Sequence, residues 1–198
     1  GVSSAASDVY KRQQLERAAA DELAAAGLDV VPIEVPGAAD AVESCTRIIW
    51  SEATAMHAER MENNPDGFGD DVRHRLSFGQ KVSGPEYARR LEHRRTWRRS
   101  LEHGFESVDL ILSPMNLIAA PSADADMIET TARLTRLTYG WSLGDLPAIS
   151  IPCGITSDGL PIGFQLAAAP WQDATLVSAA AAYKARTAWH EQLPALLS

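Results

Sequence analysis

Residues 145–168 read Asp-Leu-Pro-Ala-Ile-Ser-Ile-Pro-Cys-Gly-Ile-Thr-Ser-Asp-Gly-Leu-Pro-Ile-Gly-Phe-Gln-Leu-Ala-Ala. Ile149, Ile151, Cys153 and Ile155 share one parity and Ala148, Ser150, Pro152 and Gly154 the other, so a strand here has one bulky and one nearly flat face. The split recurs downstream, where Ile162, Phe164 and Leu166 oppose Gly163, Gln165 and Ala167. Between the two runs, Asp158-Gly159 tolerates positive φ, which predicts a β-hairpin. Pro152 and Pro161 cannot donate a ladder hydrogen bond, so each belongs at a strand end, an edge or a bulge. A flat face of Ala, Ser and Gly lets another layer or a ligand come close to the backbone.

Outward from the hairpin, Val108 to Leu112 reads as a short strand ended by Ser113-Pro114, and the loop from Met115 to Ser122 is bounded by proline. The stretch 124–136 is polar with a weak helical signal, and Asp173 suits the cap of a helix whose inner face includes Leu176, Ala180 and Tyr183. Ser83-Gly84-Pro85-Glu86 is a capping-box pattern that opens a long helix with Tyr87, Leu91, Leu101 and Phe105 on one face. Nearer the start, Asp40 caps a helix with Val42, Cys45, Ile49 and Met56 as its core stripe. Leu15, Ala19, Leu23 and Ala26 mark an earlier helix ended by Gly27, and Leu28 to Val35 reads as a buried strand stopped by Pro36. Residues 1–13 are small and polar without a sustained period, and are expected to be a disordered or artefactual leader; 14–198 is expected to be one body.

The chain has 198 residues, 45% of them hydrophobic, enough for a real core. No apolar run approaches the roughly 20 residues that cross a bilayer, so no membrane partner is expected. Cys45 and Cys153 stand alone without C-x-x-C spacing, which suits a reducing cytoplasm and argues against a metal site. Net charge −8 opposes attraction to phosphate backbones. Six arginines crowd the long helix, but no aromatic residues alternate with them as stacking platforms, so a charged face balanced by acidic neighbours is expected and nucleic acid is not.

The run Leu146-Pro147-Ala148-Ile149-Ser150-Ile151-Pro152-Cys153-Gly154, followed by Gly159-Leu160-Pro161-Ile162-Gly163-Phe164-Gln165-Leu166, closely resembles the C-terminal part of amidase signature hydrolases. Asp109-Leu110-Ile111-Leu112-Ser113-Pro114 upstream and Trp189-His190 with Pro194 downstream fall in the family's order. The likeness runs from about Gln13 to Pro194. It implies an α/β class, part of an α/β/α fold in which helices flank a mixed β-sheet. It also implies hydrolysis of carbon–nitrogen bonds in a small-molecule amide, without a cofactor, by a serine nucleophile, a second serine and a lysine; a homodimer is compatible with it. A serine hydroxyl is a weak nucleophile at neutral pH and needs such a base, with backbone N–H groups to hold the oxyanion.

In the family those groups sit on a Gly- and Ser-rich loop and a preceding lysine. Here the one Ser-Ser pair is Ser3-Ser4, without flanking glycines, and Lys11, Lys81 and Lys184 stand in other contexts. No catalytic residue is therefore assigned in this chain, which reads as the C-terminal part of an amidase domain; a binding or scaffold domain that kept the fold is the alternative. The expected substrate-binding residues are Arg75, Pro114, Met115 and Trp141. Arg75 matches the position at which glutamine-using members carry a carboxylate-binding arginine, a task that suits the guanidinium fork; otherwise it is a surface partner of Asp70, Asp71 or Glu62. Those members carry an ammonium-binding Asp where this chain has Thr135, so glutamine is disfavoured as substrate. Pro114 and Met115 end the strand that faces the family's cleft, and Trp141 lines a cleft or joins the core. Cys153 with His190 is readable as a thiol–imidazole pair, but its parity with Ile149 and Ile151 favours a small buried hydrophobe.

Overall fold

The computed structural model describes residues 4–192, with side chains from residue 14 onward except 127 and 129; Pro194 lies outside the described residues. The hairpin forms as its alternation predicts. Strand β2 spans Ala148–Ile155 and β3 Pro161–Ala168, and β1, Leu110–Pro114, pairs with the far side of β3, giving the order β1-β3-β2. Both pairings are antiparallel, so among the described residues the sheet shows only the antiparallel part of the expected mixed sheet. Gly159 takes φ +82° in the turn, where the Thr156 N–H donates to the Leu160 carbonyl at 2.8 Å. Pro152 lies on an edge strand at a register shift between Pro152 and Gly154, and Pro161 starts β3; both occupy positions that need no ladder donor.

Two cores form on the two faces of the sheet. Ile151, Cys153, Ile162, Phe164, Leu166 and Ala168 pack against helix α1, Ser4–Ala25, and helix α7, Asp173–Lys184. Phe164 is fully buried and meets Tyr183 edge-on with ring centroids 5.0 Å apart; burying one such ring contributes about 1.5–3 kcal/mol. Ile111 and Ala167 face the other way, towards helices α2, Ala38–Asn63, α4, Gly84–Gly104, and α6, Tyr139–Leu143. Helices thus cover both sides of the sheet, the α/β/α layering that the sequence implies.

The helices depart from their expected boundaries for local reasons. Helix α1 begins at Ser4, inside the stretch expected to be a leader: a nucleated helix extends at little cost through Lys, Arg and Gln. It ends as expected, with Gly27 at φ +97° and the Leu28 N–H on the Leu23 carbonyl at 3.2 Å. Residues 28–35 join no ladder. Val30, Val31 and Ile33 are 45%, 50% and 41% exposed, which overturns the expected buried strand: its sequence suits a sheet, but no strand among the described residues pairs with it. On α2 the buried face is Ala41, Ser44, Cys45 and Ile48, while Met56 is 81% exposed. The buried face is rotated from the expected stripe, with Ala41 and Ser44 fully buried and Ser44 Oγ 3.0 Å from His93 Nδ1 on α4. On α4, Ser83 caps as predicted by accepting from the Glu86 N–H at 3.2 Å, and Trp97 forms the centre of the buried face.

Candidate substrate cavity

Helix α3, Asp70–Gly79, runs against α2 at unusually short range. A Cβ at Gly79 would stand 2.1 Å from the Trp50 carbonyl oxygen, so the glycine is what lets the two backbones meet. Thr54 Oγ1 donates to the Leu76 carbonyl at 2.6 Å across the same crossing. Helix α5, Met127–Thr135, lies opposite. Between the three helices is a cavity of about 310 Å³ whose lining includes Ile49, Trp50, His57, Val72, Arg75, Phe78, Ile128, Thr131, Thr135 and Tyr139. Trp50 and Phe78 stack obliquely at 4.7 Å, forming an aromatic wall. Arg75 lies on this lining, and its Nη2 donates to Thr131 Oγ1 at 3.0 Å.

Arg75 and Thr135, paired by resemblance, therefore face one space. On the same helix it is Arg73 that pairs with Asp70 and, at 3.8 Å, with Asp66, and it also donates to the Pro65 and Phe68 carbonyls. The other expected binding residues lie elsewhere. Pro114 and Met115 sit at the end of β1, where the Met115 N–H donates to the Gly163 carbonyl at 3.3 Å, and they do not line this cavity. Trp141 is 8% exposed in the core beside α4, close to Trp97, whose Nε1 donates to the Gly140 carbonyl at 2.7 Å. It belongs to the packing beneath α6 because that helix is anchored through Gly140.

Sequence reasoning misses Ile49, Trp50 and Phe78 as cavity residues. Their signal is an apolar side chain one or more places off the buried stripe of an amphipathic helix, which sequence alone does not separate from core. The thiol of Cys153 is 2% exposed and burial pushes its pKa up to about 12, the condition of a small hydrophobe rather than a nucleophile. Of the six arginines of α4, Arg94 reaches Asp145 at 2.7 and 2.9 Å, Arg98 reaches it at 3.0 Å, and Arg90 reaches Glu43 at 2.5 Å.

Residues 7–177 match the family model for amidases. The chain belongs to the amidase family. It is 28% identical to an amidase of Pseudomonas putida over 91% of this chain and 40% of that protein. It is 33% identical to one component of the glutamyl-tRNA(Gln) amidotransferase of Thermosynechococcus vestitus over 69% of this chain and 30% of that one. The fold superposes on a crystal structure of an amidase with a TM-score of 0.80 at 22% identity, covering 89% of this chain and 42% of that one. The chain thus spans 30–40% of the length of these curated amidase relatives. Among the described residues no helix is long and apolar enough to cross a membrane.

Proposed function

We propose that this chain forms the non-catalytic wall of an amidase that hydrolyses a small or aryl amide, with the serine nucleophile, relay serine and lysine base supplied from outside residues 1–198. The observation that supports this reading is the cavity itself: a largely apolar, aromatic-walled space of about 310 Å³ whose lining includes Arg75 from α3. That size and lining suit the part of a substrate remote from the scissile bond. The chemistry would then proceed by serine attack on the amide carbonyl, expulsion of the amine and hydrolysis of the acyl-enzyme. Thr135, standing across the cavity from α3, offers a hydroxyl where binding an ammonium group requires a charge, so neutral or acidic amides are favoured over glutamine.

The test is turnover of p-nitroacetanilide by the protein expressed from the longest reading frame that contains this chain. Hydrolysis abolished by a serine-directed reagent supports the amidase reading. Absence of turnover on this and other simple amides, with the protein folded, would replace it by the scaffold reading.

A further inference from the structure

Gln165 occupies the middle of the central strand, in register with Ser113 on β1 and Ser150 on β2, and is 2% exposed. Burying a primary amide is costly unless its donors are used. Here both are: Nε2 donates to the Pro114 carbonyl at 2.9 Å and to the Leu137 carbonyl at 2.7 Å. Only the amino end of the amide can serve two carbonyls, so the orientation of the group is fixed. The acceptors are 23 residues apart (137 − 114), one at a strand end and the other in irregular backbone. Pro114 ends β1, and Leu137 lies between α5 and α6, in the link from Thr135 to Tyr139. Gln165 itself does not line the cavity, but Thr131, Thr135 and Tyr139 on that link and its helix do.

We infer that Gln165 is a positioning residue that sets the width of the cavity, by tying the α5–α6 wall and the end of β1 to one point on the rigid sheet. The inference rests on the reading of the cavity as the pocket for the substrate's remote group. Removing the two donors takes away the hydrogen bonds that hold the Pro114 and Leu137 carbonyls, and the wall carrying Thr131, Thr135 and Tyr139 loses its tie to the sheet, leaving the Arg75–Thr131 hydrogen bond and helix packing to hold it. A substrate long enough to fill the cavity is then held less well, while a short one that does not reach it is unaffected.

The experiment has two arms. In the first, amide hydrogen exchange is followed in this chain and in Gln165→Met, which keeps the length but donates nothing. Exchange is expected to quicken about tenfold over residues 130–141 and to change less than twofold in β2 and α7. In the second, the amidase containing this chain is assayed with two p-nitroanilides that share a leaving group, the acetyl and the 4-phenylbutyryl compound. Gln165→Met is expected to raise KM for the phenylbutyryl compound about tenfold with kcat held, and to change either constant for the acetyl compound less than twofold. Gln165→Glu keeps the shape; it donates nothing while ionised and regains one donor when protonated, so its phenylbutyryl-to-acetyl ratio of kcat/KM returns towards the wild-type ratio as pH falls. Exchange that quickens uniformly or not at all, or equal kinetic losses on both substrates, overturns the inference. A wild-type protein inactive on both anilides removes the amidase reading alone, and the exchange pattern still decides whether Gln165 positions the wall.

Discussion

Arg75 is the residue on which the substrate question turns. Arg75 lines the cavity together with Trp50, Phe78 and Ile128 and donates to Thr131 Oγ1, and a guanidinium placed there offers a carboxylate entering the cavity a charge-assisted hydrogen bond. Losing such a bond costs about 1.5–3 kcal/mol. Arg75→Ala in the active amidase is therefore expected to lower kcat/KM about ten- to hundredfold for an amide bearing a distal carboxylate and to leave a neutral amide of equal size nearly unchanged. Equal losses on both would return Arg75 to a structural role. The buried thiols give a second prediction, on stability. Burial raises Cys153 to about 12 and Cys45 to about 11 from an ordinary value of 9.0. Between about 9 and 12 the unfolded chain has released protons that the folded chain still holds, so folding stability falls as pH rises through that window and this contribution is complete below it. Urea midpoints measured from pH 8 to 10.5 should show the decline, and Cys153→Ala should show a shallower one. An unchanged slope would mean that the thiol is more accessible than its 2% exposure implies.

At the scale of elements, the crossing of α2 and α3 carries the cavity, and Gly79 carries the crossing. Adding a methyl group there drives it against the Trp50 carbonyl and Thr54 Oγ1, both within 2.2 Å of the new atom, and backbone does not yield as a flexible side chain does. Gly79→Ala is expected to destabilise the fold by about 1–3 kcal/mol, read from urea denaturation, despite the better helix propensity of alanine. A stabilised variant would show that the helices can separate freely. This crossing also shows where sequence reading stops. The hairpin was legible because its period of two, its Asp-Gly turn and its two prolines all specify the same register, and the Ser83 cap because it is local. The α2 stripe was not, since Ile49 is as apolar as Ile48 and only the partner helices decide which of them faces the core and which the cavity. Gln165 looked like part of a flat face for the same reason: the sequence shows that it opposes Phe164, but the two carbonyls it holds come from segments that the fold alone brings together.

At the scale of the whole molecule, residues 29–34 set a strand-like sequence in solvent between Leu28 and Val35, which pack against the two cores. Val30, Val31 and Ile33 are each more than 40% exposed, their backbone joins no ladder, and Pro36 with Gly37 follows at once. Such a segment, outside any ladder among the described residues, sets extended backbone beside apolar side chains, the combination that recruits a strand from another chain. In the proposed amidase a strand from outside residues 1–198 would pair with it; in this chain by itself the available partner is a second copy. The chain expressed alone is accordingly expected to self-associate in a concentration-dependent way and to show no turnover of p-nitroacetanilide. Val31→Lys with Ile33→Lys should shift sedimentation towards monomer without lowering the folding stability by more than about 0.5 kcal/mol, since neither side chain belongs to either core. If the double variant associates as strongly as the parent, the sticky surface lies elsewhere, and exposed Trp171 and Val177 at the α7 side become the next positions to change. If instead the parent is a monomer at high concentration, the segment needs no partner strand, and the assignment of a pairing role to residues 29–34 fails.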